Sequence, residues 1–175
     1  MESREIPGSI SRETAFHRPV ADAREIRSMP YYLVERAVRH ARGLGLGLSA
    51  RTVRVWIDYE DSGRETASRT LGAPTDQDAV IDALACRLLR QLHTRREALR
   101  RVGAALSGFT PGAGAQADLF EAGADVRRGE LYRSLDRVRS RFGYASVVAG
   151  PSVRLLRKLA RDRNGFVLRT PSLTK

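Results

Sequence analysis

The segment Thr52–Leu71 has the sequence TVRVWIDYEDSGRETASRTL, and it decides the fold. Apolar and polar side chains alternate as far as Tyr59, which is the period of a β-strand with one buried face. The predicted inward side chains are Val53, Val55 and Ile57, and the predicted outward ones are Arg54, Trp56 and Asp58. Asp61–Gly63 has the composition of a hairpin turn. The residues Arg64–Leu71 are therefore predicted to return as a partner strand.

Two further strands and two helices are predicted around this hairpin. A strand at Ser9–Phe16 precedes a helix that is expected to begin at Ser28, with Pro30 in its first turn. A second helix with a full apolar stripe begins at Thr75–Asp78, and a strand at Leu99–Phe109 follows it. The order β-α-β-β-α-β predicts an α+β fold in which an antiparallel sheet carries both helices on one face.

A C-terminal helical extension is predicted beyond the sheet. Apolar residues at helical spacing from Leu131 to Phe142 mark a third helix, which Gly143 closes, and a short basic helix is expected from Ser152 to Ala160. We therefore divide the chain into a linker remnant at 1–8, a sheet domain at 9–109, a flexible loop at 110–128 and the extension at 129–175.

The charge of the chain favours a polyanionic partner. There are 31 basic against 20 acidic residues, a formal net charge of +11, and only Lys158 and Lys175 are lysines. The planar guanidinium group fits pairs of phosphate oxygens. A GC-rich genome that favours arginine codons is an alternative explanation and stays open.

No apolar run is long enough to span a membrane, and the single cysteine, Cys86, fits a reducing cytoplasm.

No cofactor or metal site is predicted. The carboxylates Asp58, Glu60 and Asp61 lie at the end of a hairpin, where a solvated turn is expected. The three histidines lie on separate elements, and the glycines at 43–47 follow a helix instead of preceding one, so a dinucleotide loop is not indicated. Cys86 lies in an apolar helix, where a buried structural thiol is expected.

Four of these segments resemble, in the same order and spacing, the little finger domain of Y-family (translesion) DNA polymerases. They are Ser9–Thr14, Val53–Tyr59, Ser68–Leu71 and Leu99–Gly103. Leu135–Gly143 also resembles the segment that follows this domain in many bacterial members. The resemblance covers about residues 8–148.

The resemblance implies that the helix-free face of the sheet grips duplex DNA near the template. Hydroxyl, guanidinium and strand N–H donors would hold phosphates without reading bases, which suits damaged DNA. The expected DNA contacts by motif position are Ser9, Ser11, Arg12, Thr66, Ser68, Arg69, Thr70, Arg100 and Arg101. Arg54 is added to this set only because the alternation of its strand places it on the outward face. Arg12 shares strand parity with Ile10, so we expect it to need a bulge or a strand end to reach DNA.

The segment Gln116–Phe120, with the sequence QADLF, resembles the pentapeptide by which bacterial polymerases bind the sliding clamp. The expected clamp contacts are Gln116, Asp118, Leu119 and Phe120. Two large apolar side chains on a flexible loop could enter a pocket on the clamp while the glutamine supplies directional hydrogen bonds. The alternative, that Leu119 and Phe120 fold back on the domain's own core, stays open.

The resemblance also implies that these 175 residues have no polymerase activity alone. In the family, palm-domain carboxylates that precede the little finger hold the two catalytic metal ions. We therefore expect a non-catalytic, cytoplasmic, nucleoid-associated module of DNA repair and lesion bypass, which could work with a separate catalytic core. Two other functions stay open. One is a stand-alone clamp-binding or polymerase-accessory protein, and the other is an RNA binder, for which Trp56 is the only clear outward aromatic.

Overall fold

Five strands form one antiparallel sheet in the computed structural model, which describes residues 5–61, 63–112 and 122–158. The strands are β1 (Ser9–Val20), β2 (Leu48–Tyr59), β3 (Arg64–Thr75), β4 (Leu99–Ser107) and β5 (Thr110–Pro111). The four long strands lie in the order β1-β4-β2-β3, and β5 pairs with the start of β2. The predicted antiparallel sheet is confirmed.

Two long helices cover one face of the sheet and enclose the core. They are α1 (Ala23–Gly43) and α2 (Asp78–Leu92). The core side chains Ile10, Val53 and Val102 are fully buried beneath these helices, with Leu33 of α1. This arrangement confirms the α+β prediction of two helices on one face. Within the described parts of the chain, no helix is long and apolar enough to cross a membrane.

The first helix begins earlier than predicted. Asp22 caps it, because its Oδ1 atom accepts the N–H of Arg24 at 2.8 Å, so the prediction of a start at Ser28 was wrong. Pro30 lies inside the helix, where it removes one main-chain hydrogen bond. The helix persists through Pro30 because this turn buries Ile26 and Met29 completely in the core. Burial of this apolar face therefore outweighs the local preference of proline for the first turn.

Other boundaries also differ from the sequence prediction. β1 continues to Val20, beyond the expected end at Phe16, and pairs there with Leu99 after a register shift. Thr110–Pro111, expected to be loop, forms β5 against Leu48 and Ser49. These differences lie at the ends of elements and leave the central register intact.

The helical extension packs against α1. It comprises α3 (Ala122–Phe142), short 3₁₀ turns at Tyr144–Ser146 and Gly150–Ser152, and α4 (Val153–Lys158). A buried ion pair joins Arg139 of α3 to Glu35 of α1, and the Tyr144 hydroxyl donates to Glu35 Oε2 at 2.9 Å. Arg42 of α1 donates to Asp136 at 2.7 Å. The extension is therefore held on the helix side of the sheet.

Candidate nucleic-acid interface

The uncovered face of the sheet presents four cross-strand rows of side chains. Residues directly opposite each other in antiparallel strands share a face. In the order β1, β4, β2, β3, the rows are Ser9, Ser107, Thr52 and Thr70; Ser11, Ala105, Arg54 and Ser68; Glu13, Gly103, Trp56 and Thr66; and Ala15, Arg101, Asp58 and Arg64. We call the first two rows the hydroxyl end and the last two the ion-pair end.

The hydroxyl end is rich in hydrogen-bonding groups and has one charge. Its eight positions hold six serine or threonine side chains, Ala105 and Arg54. Arg54, Ser68 and Thr70 are exposed, and the hydroxyls of Thr52 and Thr70 lie 3.1 Å apart. Because no carboxylate lies in these two rows, an approaching phosphate would meet donors and a single positive charge.

The ion-pair end is neutralised by its own side chains. Arg64 lies 2.8 Å from Asp58 and 3.0 Å from Glu13, measured between guanidinium nitrogen and carboxylate oxygen. Arg101 lies 3.4 Å from Asp58 and 3.6 Å from Glu13. The hydrogen bonds to Asp58 raise the pKa of Arg64. Two arginines thus balance two carboxylates, so this end offers a phosphate little net charge.

Trp56 occupies the space over Gly103 at the ion-pair end. A Cβ atom on Gly103 would lie 2.0 Å from Cε2 of the indole, so the ring fits there only because residue 103 is glycine. The indole Nε1–H donates to Glu13 at 2.8 Å, and the Arg64 guanidinium lies 5.4 Å from the ring centre. Trp56 points outward as predicted but is only 8% exposed. It therefore offers no open ring for the base stacking that the RNA-binding alternative requires.

Comparison with known proteins identifies the family. The model of the impB/mucB/samB family C-terminal domain matches residues 7–119. The chain belongs to this family. The resemblance to the little finger of Y-family polymerases is thereby confirmed.

Relatives of this impB/mucB/samB family chain are much longer. It is 35% identical over 148 residues to DNA polymerase IV of Desulfatibacillum aliphaticivorans, covering 82% of this chain and 37% of that protein. With DNA polymerase IV of Opitutus terrae it is 31% identical over 144 residues, covering 81% and 35%. The chain thus spans little more than a third of the length of these relatives.

Solved structures of Y-family polymerases also match this impB/mucB/samB domain. DinB from Sulfolobus solfataricus has a TM-score of 0.43 at 22% identity, over 57% of this chain and 28% of the other. The post-insertion binary complex of Dbh DNA polymerase has a TM-score of 0.49 at 15% identity, over 63% and 33%.

Seven of the ten predicted DNA contacts of this impB/mucB/samB domain share the uncovered face. They are Ser9, Ser11, Arg54, Thr66, Ser68, Thr70 and Arg101. Thr66 and Arg101 lie in the ion-pair end, and Arg101 is ion-paired there with Asp58 and Glu13. Arg100 is exposed and lies where the register shifts between Leu99 and Arg101. Contact of these residues with DNA remains a prediction.

Arg12 and Arg69 lie apart from that set. The register runs without a bulge from Ser9 to Ala15, so Arg12 stays on the helix face, where it is 6% exposed. Arg69 is exposed on the edge strand but lies opposite Val53, a core residue, and so has the parity of the helix face. The rows of Arg69 and Arg101 lie five residues apart along β2, which is a distance of about 17 Å. The ten residues therefore do not all lie on one face of the sheet, and the DNA contacts of Arg12 and Arg69 also remain predictions.

Sequence reasoning missed two members of the hydroxyl end. Ser107 and Thr52 complete its first row beside Ser9 and Thr70. Strand alternation could have found both, because Ser107 has the parity of Arg101 and Thr52 has that of Arg54.

The clamp-like peptide lies outside the described residues. This applies to Gln116, Asp118, Leu119 and Phe120. In the described ranges, no cluster of three or more His, Cys, Asp or Glu side chains could hold a metal ion.

Proposed function

We propose that this chain is the non-catalytic DNA-binding module of a Y-family translesion polymerase. In this role it grips duplex phosphates near the primer–template and so acts with chromosomal DNA in the cytoplasm. The observation that carries the proposal is the hydroxyl end, an uncovered sheet surface with six hydroxyls, Arg54 and no carboxylate.

Short hydroxyl side chains suit a phosphate backbone for two physical reasons. They donate hydrogen bonds to phosphate oxygens whatever the base sequence, and they allow the backbone of DNA to approach the sheet closely. β3 is an edge strand that pairs with β2 on one side only, so main-chain N–H groups on its outer side can add to these donors. Such a surface would tolerate damaged bases, because it does not contact them.

Arg54→Ala is expected to weaken binding of a primer–template duplex by about tenfold, since one charge-assisted hydrogen bond to phosphate is worth about 1.5 kcal/mol. The slope of log K against log salt concentration should become less steep by about 0.9. Fluorescence anisotropy of a labelled duplex at several salt concentrations measures both.

Arg90→Ala is the matched control, because Arg90 is an exposed arginine on α2, on the covered side of the sheet. It removes the same charge and should leave the affinity close to wild type. Equal effects of Arg54→Ala and Arg90→Ala would contradict the proposal, and so would a flat salt response of the wild-type protein.

We propose further that Gln116–Phe120 docks the module on the bacterial sliding clamp, on the strength of its sequence resemblance. Leu119→Ala with Phe120→Ala should abolish binding to immobilised clamp in surface plasmon resonance. The control is Leu131→Ala with Phe142→Ala, which removes the same two residue types from exposed positions of α3. Unchanged clamp binding together with a lower melting temperature would favour the alternative in which the peptide folds back on the core.

A further inference from the structure

An arginine-rich groove of about 1230 Å³ lies between α1 and α3, on the helix side of the sheet. Four of its arginines come from β1 and α1, and three come from α3. The carboxylates that line it are Glu130 and Asp136, so arginine exceeds carboxylate by five charges. The groove is therefore strongly positive and separate from the hydroxyl end.

Within the part of the chain that the structure describes, most of these arginines have no carboxylate partner. Asp136 is occupied by Arg42 at 2.7 Å and by Arg39 at 3.9 Å. Four other arginines that line the groove make no ion pair with a carboxylate among the described residues: Arg12, Arg133, Arg137 and Arg141. Arg137 instead donates to the Ser134 hydroxyl at 2.9 Å.

Arg12 is a buried cation in the wall of this groove. It is 6% exposed, and its guanidinium donates to the Ser11 carbonyl at 2.7 Å. Burial and the neighbouring charge of Arg36 lower the pKa of Arg12, and burial together with Arg12 lowers the pKa of His40. A buried charge without an opposite charge is costly. An anion bound in the groove would offset that cost.

The arginines of α3 form a row that fits a chain of phosphates. Arg133, Arg137 and Arg141 are spaced by four residues, so they lie on one face of the helix about 6 Å apart and span about 12 Å. A single phosphate ion would reach one or two of them. The volume also exceeds the range of about 300–1,000 Å³ that is usual for small-molecule pockets.

We propose that this groove binds single-stranded nucleic acid by its phosphates, as a second site independent of the duplex-binding face. The groove is a cleft between two helices, which suits a single strand, whereas the open sheet can accept a duplex. The groove's aromatic residue, Tyr144, is 2% exposed, so base stacking contributes little and binding is independent of sequence.

The test compares two double variants of the full chain on a fluorescent oligothymidylate of about 12 nucleotides. Arg133→Ala with Arg137→Ala removes exposed groove arginines, and Arg87→Ala with Arg90→Ala removes exposed arginines of α2. The groove variant should bind the strand at least tenfold more weakly, with a salt slope less steep by about 1.4, at about 0.7 for each lost contact. The α2 variant should bind like wild type.

Three results would overturn the proposal. The first is equal strand binding by the two double variants. The second is an equal loss of strand and duplex binding in the groove variant, which would indicate general charge and not a site. The third is tighter binding of inorganic polyphosphate than of oligothymidylate at equal phosphate concentration, because the ligand would then be a different polyanion. Arg54→Ala should weaken duplex binding and spare strand binding, so the two proposals can fail separately.

Discussion

Glu35→Ala is expected to destabilise the folded chain by about 3–5 kcal/mol, because it removes the carboxylate from a buried ion pair. The side chains of Arg139 and Glu35 are 3% and 5% exposed. The variant also takes the acceptor from the Tyr144 hydroxyl. Asp136 lies 3.4 Å from Arg139 but is already shared with Arg42, so it cannot replace Glu35. Urea unfolding measures the loss.

A double variant shows whether the loss of stability comes from the unpaired charge of Arg139 or from the lost volume of the Glu35 side chain. Glu35→Ala combined with Arg139→Met should recover most of the stability, since an apolar replacement of both partners of a buried pair is often close to neutral. Glu130→Ala removes an exposed carboxylate of α3 and should change the free energy of unfolding by less than about 0.5 kcal/mol. Equal costs for Glu35→Ala and Glu130→Ala would show that the buried pair does not hold the extension on α1.

The sheet could be predicted from the sequence because its signal is local. Alternation in β2 assigned Val53 to the core and Arg54 to the open face, and the cross-strand register agrees. The same rule places Arg69 on the other face from Ser68. Arg69 was predicted as a DNA contact from the motif match alone. Its strand parity, which the sequence already shows, is that of the helix face.

The ion-pair end could not be predicted in the same way, because it depends on lateral register. Asp58 and Arg64 flank one hairpin, so their pairing is a local event. Glu13 and Arg101 reach them from β1 and β4, and a single strand carries no information about which residue of a distant strand will lie beside it. Outward parity therefore identified the open face, but not which half of it is neutralised.

The predicted start of α1 was wrong for a related reason. Local preference placed Pro30 in a first turn, whereas burial of Ile26 in the core decided where the helix begins. Arg12 was expected to need a bulge to reach DNA, and the continuous register gives it none. Tertiary packing thus overrides the local preference in α1, whereas the burial of Arg12 follows the strand parity that the sequence already showed.

Gly103→Ala is expected to destabilise the chain by about 2.5–6 kcal/mol, which is large for the addition of one methyl group. The new Cβ would lie 2.0 Å from Cε2 and 2.1 Å from Cζ2 of Trp56, so the indole must leave its place. The cost combines overpacking, about 1–3 kcal/mol, with the loss of a hydrogen bond to the charged Glu13, about 1.5–3 kcal/mol. Chemical unfolding measures it, and loss of the buried tryptophan fluorescence reports the movement of the ring.

The change that Gly103→Ala causes in the free energy of unfolding should reverse in sign when the indole is absent. In a Trp56→Ala background the clash disappears, and Gly103→Ala should stabilise by about 0.5 kcal/mol because alanine reduces the entropy of the unfolded chain. The coupling energy of the double-mutant cycle should therefore exceed about 2 kcal/mol. Gly72→Ala on β3 is the matched control, since a Cβ there meets nothing within 4 Å, and it should be neutral or slightly stabilising. If Gly103→Ala costs the same with and without Trp56, the glycine is required by the backbone and not by the ring.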